Sequence, residues 1–356
     1  MSQPEDLIVN IISLITYITL MANNLKTNSF QTLDDLLRAV LEDLLELSFE
    51  VSTTKSAVHG SSSEIIGALF HLENPRARLS RTETKGTPFS ALGELFWYLT
   101  QKNDLEFIRY YIPHYNTETD DDKTIYGGYG PRLFDFEGKI NQVQNIIKLL
   151  NQKRSTRRAV IQLFDAKDIL EPHKDIPCTC TLQFLIRNEQ LQMFTSMRSN
   201  DAFLGLSHDI FTFTMLQEII ARALEIEPGR YTHSVGSLHL YEKHKNLARQ
   251  YLKEGVQSTK SPMPAMPLGD PFSVIAKLLE LESQIRSDQI IDANTLEMDN
   301  YWKDFVRLLQ IYHYSKGHNY VLAKKIQENL SNTIYQTYIN KRLERLVNLQ
   351  KCPIQN

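Results

Sequence analysis

A Pro-Cys step followed by two segments of alternating polarity constrains the fold more than any other part of the chain. Cys178 opens the stretch, and residues 179–187 and 191–198 alternate on either side of a turn at Asn188-Glu189. Alternation on both sides of a short turn predicts a β-hairpin. The hairpin would bring the thiol of Cys178 close to the guanidinium of Arg198. A cation beside a thiol favours the nucleophilic thiolate.

The same stretch opens a motif with several fixed spacings. Its parts are Pro177-Cys178, Gln183-Phe184, the loop-like segment Arg198-Ser199-x-Asp201-x-x-Leu204-Gly205, and His239-x-Tyr241-x-x-His244. Together they resemble the signature of the thymidylate synthase family. The resemblance implies an α/β (α+β) fold in which helices back a large mixed sheet, and a homodimer with shared active sites.

The resemblance also implies covalent chemistry on a pyrimidine nucleoside monophosphate. Cys178 would add to C6 and make C5 a nucleophile toward a one-carbon unit carried by a reduced folate, 5,10-methylenetetrahydrofolate. Water would then give a hydroxymethyl product, whereas hydride from the folate would give a methyl product. Cys180 is interpreted as packing, because strand cysteines are usually inert.

Glu94 is a single carboxylate in the otherwise apolar run of residues 91–99. Such a helix is expected to be buried, and a buried carboxyl finds partners or has its pKa raised, which suits a general acid-base group. The run resembles the Glu-Leu-x-Trp-x-Leu segment of the family, whose glutamate manages protons at the pyrimidine ring. A glycine-rich turn places Tyr129 at the family's Tyr-Gly step, which implies a catalytic role.

Basic residues match the family's phosphate-binding positions at Lys55, Arg157, Arg158 and Arg198, together with Ser199. Paired arginines at the start of a strand are usually solvated. Their planar donors nevertheless match phosphate oxygens. In the family this pair reaches into the other subunit's site, so Arg157 and Arg158 imply an obligate homodimer.

Asp209 bears on which base is recognised. Aspartate near the beginning of a helix is ordinarily a cap or a dipole partner. The family has asparagine here in enzymes that act on uracil, and aspartate in members that act on deoxycytidylate. A carboxylate accepts from the cytosine amine and, when protonated, donates to N3. The residue favours cytidylate hydroxymethylation. Thymidylate synthesis from uridylate is the alternative, and a non-catalytic nucleotide-binding or assembly protein is the third hypothesis.

Other family positions have substrate-binding roles. His239 and Tyr241 share one face of an alternating strand and match the pair that bonds the sugar 3′-hydroxyl. Gln183, Asp201 and Gly205 match further substrate-binding positions.

Composition argues against several classes of protein. A net charge of −3 with 42% hydrophobic and 23% charged residues is typical of a globular protein and does not indicate a nucleic-acid surface. Cys178, Cys180 and Cys352 are too few for a disulfide framework or a four-ligand zinc site, and a reducing cytoplasm is expected. Residues 7–22 predict an amphipathic helix, because regularly spaced polar residues interrupt a run shorter than the ~20 residues that span a bilayer.

Three parts are predicted along the chain. Residues 1–31 form a helical extension, residues 32–258 the catalytic domain, and residues 259–356 a helical C-terminal extension. The catalytic domain opens with a helix over residues 32–47, followed by a polar loop over residues 52–63. A Pro-rich linker over residues 261–267 precedes helices at 271–286, 298–314 and 320–349. The family's folate-closing C-terminal tail is not recognisable here.

Overall fold

The computed structural model describes residues 28–46, 60–80, 88–254 and 262–351. Its centre is a six-stranded sheet in the order β1-β2-β6-β5-β4-β3. The strands are β1 (Ser29–Phe30), β2 (Ser62–Leu72), β3 (Val160–Gln162), β4 (Thr179–Arg187), β5 (Gln190–Asp201) and β6 (Glu227–Tyr241). β1 pairs with β2, and β5 with β6, in parallel, whereas the other neighbours are antiparallel. The predicted mixed sheet is confirmed.

Helices cover this sheet and pack on one another. They are α1 (Leu33–Glu46), α2 (Pro88–Leu99), α3 (Leu105–Tyr111), α4 (Tyr129–Phe134), α5 (Gln142–Gln152), α6 (Leu206–Ala223), α7 (Lys245–Lys253), α8 (Pro271–Arg286), α9 (Asn300–Lys316), α10 (Tyr320–Gln327) and α11 (Gln336–Lys351). α6 connects β5 to the parallel strand β6 and packs on both. α2 packs on α6 and is buried along its length, as its apolar sequence predicts.

The β4–β5 hairpin forms where the alternation predicts it. Asn188 and Glu189 make its turn with φ values of 52° and 55°, the left-handed conformation that suits the twist of a two-residue hairpin. The predicted loop beginning at residue 198 is wrong for its first part. Residues 199–201 pair with residues 237–239 of β6, so parallel pairing extends β5 as far as Asp201.

The segment predicted to be a linker is docked on the catalytic core. Met263 and Met266 are 2% and 1% exposed. Met263 donates its N–H to the carbonyl of Arg76, and Arg222 donates from Nε to the carbonyl of Met266 at 2.7 Å. Since α8 and α9 also pack on α2, the C-terminal helices continue the core.

The last predicted helix is interrupted. α10 ends at Gln327 and α11 begins at Gln336. Between them the carboxylate of Asp304 accepts the backbone N–H groups of Ser331 and Asn332 at 2.9 and 3.0 Å. A buried carboxylate on α9 thus satisfies donors that a continuous helix would have bonded internally.

Several predictions fall on residues that the structure does not describe. The helix over residues 7–22, Lys55 and Cys352 all lie outside the described ranges. Residues 62 and 63, predicted to be loop, belong to β2. Within the described ranges, no helix has both the length and the apolar character needed to cross a bilayer.

Candidate active site

Most of the predicted site residues meet in one cleft of about 760 Å³. It opens between α2, the turn before α4, the segment before β4, the end of β5, the first turn of α6 and the end of β6. The predicted residues that line it are Glu94, Tyr129, Cys178, Arg198, Ser199, Asp201, Gly205, Asp209, His239 and Tyr241. Residues from distant parts of the sequence therefore share one cavity.

The thiol and the guanidinium come together as the hairpin predicts. Arg198 Nη2 lies 3.6 Å from Cys178 Sγ. Its Nε donates to the carbonyl of Pro177 at 3.0 Å, and its Nη2 donates to that of Ile176 at 3.1 Å. Two backbone carbonyls preceding Cys178 therefore hold the cation beside the sulfur.

The charge state of this thiol differs from the sequence expectation. Burial raises the pKa of Cys178 to about 11, although the Arg198 cation acts in the opposite direction. The Arg198 cation lowers the pKa of Cys178, as predicted. Loss of hydration raises it by more, so the pKa of the thiol is higher than usual. In the free protein the sulfur is protonated at neutral pH.

Glu94 lines the cleft and is 7% exposed. The hydroxyls of Tyr98 and Tyr115 donate to its Oε1 at 3.1 and 3.2 Å. Burial raises the pKa of Glu94 to about 7 despite these two hydrogen bonds. The carboxyl therefore changes protonation state near neutral pH, as the apolar run predicts.

The two tyrosines were not predicted to belong to the site. Tyr98 follows Glu94 by four residues, and helical neighbours at that spacing share a face. That signal was available in the sequence. Tyr115 lies in the 3-10 turn Pro113–Thr117, and only folding brings it to Glu94.

Tyr129 holds the beginning of β4. Its hydroxyl donates to Thr179 Oγ1 and accepts the N–H of Thr179, both at 3.0 Å. Thr179 directly follows Cys178, so the tyrosine fixes the backbone that carries the thiol. The next residue must be glycine, since a Cβ on Gly130 would collide with the carbonyl oxygen of Lys102.

Asp209 lies in the first turn of α6 and projects into the cleft. Asn200 donates from Nδ2 to Asp209 Oδ2 at 2.7 Å. Burial, followed by the negative charge of Glu94, raises the pKa of Asp209 to about 8. Among the described residues no side chain caps α6, which weighs against interpreting Asp209 as a helix cap.

A third carboxyl, Asp175, was missed by the sequence analysis. It precedes Cys178 by three residues and lines the cleft. Burial, followed by the negative charge of Glu118, raises the pKa of Asp175 to about 7, although the nearby arginines oppose this. Its position in an irregular segment offered no periodic signal.

The open side of the cleft carries the predicted sugar contacts. The rings of His239 and Tyr241 meet edge to face with centroids 4.9 Å apart, so the two residues share a face as predicted. Asp201 accepts the backbone N–H groups of Phe203 and Leu204 at 2.7 and 2.9 Å. This carboxylate shapes the turn between β5 and α6.

The remaining predicted residues lie elsewhere in the chain. Arg157 and Arg158 are exposed and directly precede the edge strand β3. Gln183 donates from Nε2 to the carbonyl of Arg157 at 2.9 Å, which ties that segment to β4. None of these three described residues lines the cleft of its own chain.

Comparison with known proteins identifies relatives of this chain. The sequence profile described as thymidylate synthase matches residues 54–291, a range that extends beyond residue 258, where the predicted catalytic domain ends. A deoxyuridylate hydroxymethyltransferase of Delftia phage PhiW-14 is 29% identical over 240 residues, which are 64% of this chain and 66% of that protein. One of Pseudomonas phage M6 is 32% identical over 166 residues, 45% of this chain and 46% of that protein.

A putative thymidylate synthase of Methanocaldococcus jannaschii is 38% identical over 120 residues, which are 32% of this chain and 54% of that protein. The matched regions thus span between about half and two thirds of these relatives.

Two solved structures share the fold. Thymidylate synthase from T4 phage matches with a TM-score of 0.56 at 20% identity, over 68% of this chain and 91% of that one. Thermostable thymidylate synthase A from Bacillus subtilis matches with a TM-score of 0.52 at 22% identity, over 63% of this chain and 85% of that one. These similarities confirm the predicted architecture.

Proposed function

The chain belongs to the thymidylate synthase family, and we propose that it transfers a one-carbon unit to C5 of a pyrimidine nucleoside monophosphate. The nucleotide is cytidylate and the product is the 5-hydroxymethyl derivative. The observation that carries this proposal is a protonatable carboxyl, Asp209, in the same cleft as the thiol of Cys178. The thiol supplies the covalent chemistry, and the carboxyl recognises the base through hydrogen bonds.

Cys178 acts as the nucleophile in this proposal. Its sulfur adds to C6 of the ring, which gives C5 the electron density to form a new carbon–carbon bond. The thiol must lose its proton first, and Arg198 Nη2, 3.6 Å from the sulfur, stabilises the resulting anion. Release of the product by elimination restores the thiol.

Glu94 manages protons at the ring. A group that gives and takes protons works best when its pKa lies near the working pH, and burial raises the pKa of Glu94 to about 7. The hydroxyls of Tyr98 and Tyr115 hold one carboxyl oxygen in place. Both protonation states are therefore accessible without movement of the group.

Asp209 selects the base. Cytosine presents an amine donor and an unprotonated N3, whereas uracil presents an N3–H donor and the O4 acceptor. A protonated carboxyl complements the cytosine edge when its hydroxyl faces N3 and its other oxygen faces the amine. The pKa of about 8 keeps Asp209 protonated at neutral pH. In that orientation the hydroxyl would meet the N3–H of uracil, and such a mispaired buried edge disfavours this base.

The named relatives support hydroxymethyl transfer and favour a second candidate substrate. Two of them are called deoxyuridylate hydroxymethyltransferases, which supports water as the nucleophile that adds to the methylene group at C5. The nucleotide in those names is uridylate, so uridylate hydroxymethylation is the second candidate. Asp209 distinguishes the two in this proposal, because a hydroxyl that faces N3 pairs with cytosine and meets the N3–H of uracil.

The family uses 5,10-methylenetetrahydrofolate, and the cleft fits such a cofactor beside a nucleotide. Its volume of about 760 Å³ is in the upper part of the range of about 300–1,000 Å³ for ligand pockets. Trp97, Ile112, Pro113 and Tyr115 line an apolar wall. These residues would hold the folate. When bound, it supplies the one-carbon unit for C5.

A second subunit would complete the phosphate site. Arg157 and Arg158 are exposed outside the cleft of their own chain, which suits donors that serve a partner. The sheet strands also expose large apolar side chains, namely Ile66, Leu69, Val160 and Phe194. Such groups on a sheet favour a protein interface. Ser199, Asp201, Gly205, His239 and Tyr241 line the cleft and keep their proposed roles in holding the nucleotide, as does Lys55. Gln183 lies outside the cleft and binds the carbonyl of Arg157, so it is no longer assigned to the nucleotide of its own chain.

The proposed compartment is the cytoplasm. Cys178 and Cys180 are both free thiols, and the chemistry requires that Cys178 stays reduced. A reducing compartment maintains that state.

Replacement of the base-reading carboxyl tests the substrate assignment. In Asp209→Asn, the amide donates to O4 of uracil and its oxygen accepts from N3–H, so uridylate turnover should rise and cytidylate turnover should fall. Loss of one hydrogen bond that leaves a buried group unpaired corresponds to ~1–3 kcal/mol, or about one to two powers of ten in kcat/KM for each substrate. The measurement is tritium release from 5-tritiated cytidylate and uridylate, with chromatography of the product.

The melting temperature serves as the control in this experiment. A residue that acts only at the helix terminus would leave the ratio of the two kcat/KM values unchanged, because asparagine is tolerated there equally well. An unchanged ratio would therefore remove cytidylate from first place and leave uridylate as the substrate.

A further inference from the structure

A continuous row of buried polar side chains lies behind Asp209. The hydroxyl of Tyr231 is 2.7 Å from His233 Nδ1, and His233 Nε2 is 3.1 Å from Asn200 Oδ1. Asn200 Nδ2 then donates to Asp209 Oδ2 at 2.7 Å. Tyr231, His233 and Asn200 are 0%, 0% and 4% exposed. The row crosses from β6 through β5 to α6 and ends at the cleft.

In each hydrogen bond of this row, the donor lies on the side farther from Asp209. The carbonyl oxygen of Asn200 can only accept, so His233 Nε2 must carry a proton. Burial lowers the pKa of His233 to about 3, so the ring is neutral and has a single N–H. Nδ1 is then unprotonated and accepts the hydroxyl of Tyr231. The tautomer of His233 is thus coupled to the orientation in which the N–H of Asn200 faces the carboxyl.

The fixed amide determines how Asp209 can hold a proton. Oδ2 already accepts an N–H from Asn200, and protonation of that oxygen would weaken it as an acceptor. The proton therefore resides on Oδ1. With Oδ1 toward N3 of the base, the carboxyl donates to N3 of cytosine and accepts from its amine through Oδ2, whereas the N3–H of uracil would meet the Oδ1 proton. With the amide reversed, Asp209 would donate inward to Asn200 and would present only acceptors, a pattern that suits the N3–H of uracil.

We propose that Asn200 sets the base preference by orienting the proton of Asp209, and that His233 and Tyr231 hold its amide in the orientation that selects cytosine. This inference rests on the proposed function, because it assigns a positioning residue to the same cleft. Asn200 acts through Asp209, and its effect appears in the choice between two substrates.

Removal of the amide tests this assignment. In Asn200→Ala the carboxyl of Asp209 is free to place its proton on either oxygen, so the ratio of kcat/KM for cytidylate to that for uridylate should fall about tenfold. Tyr231→Phe removes only the last hydroxyl and lets the His233 ring change tautomer. The same ratio should then fall about threefold, and this variant keeps the test valid if Asn200→Ala does not fold.

Gln217→Met is the matched control. Gln217 is a buried amide on α6 that donates to the carbonyls of Leu191 and Gly229 at 2.8 and 3.0 Å. It joins the same helix to the same two strands but lies away from Asp209. This substitution should lower the melting temperature and leave the substrate ratio unchanged. A shift equal to that of Asn200→Ala would overturn the inference, because general loosening would then explain both.

Binding measurements distinguish failure of the role assigned to Asn200 from failure of the proposed function. Dissociation constants for cytidylate and uridylate are measured by calorimetry with Cys178→Ser as background, so that no turnover interferes. Suppose that Cys178→Ser binds cytidylate more tightly than uridylate. If that preference survives both Asn200→Ala and Tyr231→Phe, only the role of Asn200 is overturned. A wild-type preference for uridylate would overturn the cytidylate assignment together with it. Loss of the preference in binding as well as in turnover supports the inference.

Discussion

The base end and the phosphate end of the proposed site differ in how many of their residues lie in the cleft of a single chain. At the base end, Glu94, Tyr129 and Asp209 each have hydrogen-bond partners within the chain. At the proposed phosphate end, Arg198 and Ser199 line the cleft, whereas Arg157 and Arg158 are exposed outside it. Under the proposed function, the groups that exchange protons are assembled inside one fold, whereas two of the groups that bind the phosphate would come from a second copy.

Burial is the physical basis of this contrast. At the base end it raises the pKa of Glu94 and Asp175 to about 7 and that of Asp209 to about 8. A doubly charged phosphate would be costly to bury among such carboxyls. An exposed arginine pair can meet it without that cost.

Removal of the nucleophile should give the largest effect and would test the base end most directly. Cys178→Ser should lower turnover at least about a thousandfold, because the hydroxyl is a far weaker nucleophile. Cys180→Ser is the matched control and should retain activity within about threefold, since that sulfur does not line the cleft. Tritium release from C5 measures both, and equal losses would show that the wrong thiol is assigned.

Neutralisation of the proton-transfer group should give the next largest effect. Glu94→Gln should lower kcat by about a hundredfold or more, because an amide cannot exchange a proton with the ring. The amide oxygen can still accept from Tyr98 and Tyr115, so the fold should be retained. Steady-state kinetics from pH 5 to 9 measure the change. Activity within about threefold of the wild type, with an unaltered pH profile, would remove Glu94 from proton transfer.

A mixing experiment tests the phosphate end. Cys178→Ala and Arg157→Ala chains should each be nearly inactive alone. After random exchange, half of the dimers are mixed and each of these has one site with both wild-type groups, so about one quarter of wild-type activity should return. Mass spectrometry of differently tagged chains verifies the exchange. If verified mixed dimers stay inactive, each chain must supply its own phosphate ligands.

The pH dependence of stability gives the smallest effect and tests the base end without substrate. The pKa values of Glu94, Asp175 and Asp209 are raised in the folded protein, so the folded state holds these protons more tightly than the unfolded chain. Their stabilising contribution is full below the ordinary carboxyl pKa of about 4 and is lost as pH rises toward 7 to 8. Each group changes stability by at most about 1.4 kcal/mol per pH unit.

Asp209→Asn provides the comparison for this pH effect. The variant removes one of the three groups, so its free energy of unfolding should fall less between pH 5.5 and pH 8 than that of the wild type. Chemical denaturation at several pH values measures the difference. Parallel curves for the two proteins would mean that the pKa of Asp209 is not raised.

The sequence by itself determined the parts of the site that depend on local spacing. Alternation and a two-residue turn predict the hairpin that brings Cys178 to Arg198. One carboxylate in an apolar helix predicts the raised pKa of Glu94. The alternating strand places His239 and Tyr241 on one face. These features follow from side-chain spacings of two residues in strands and about four in helices, which a single sequence shows directly.

Only the tertiary structure decided the features that depend on contacts between distant segments. Pairing with β6 extends β5 to Asp201, and burial outweighs the Arg198 cation at Cys178. The row from Tyr231 to Asp209 crosses two strands and a helix. Dehydration and partner geometry at these points depend on how whole elements pack, and no local period encodes that packing.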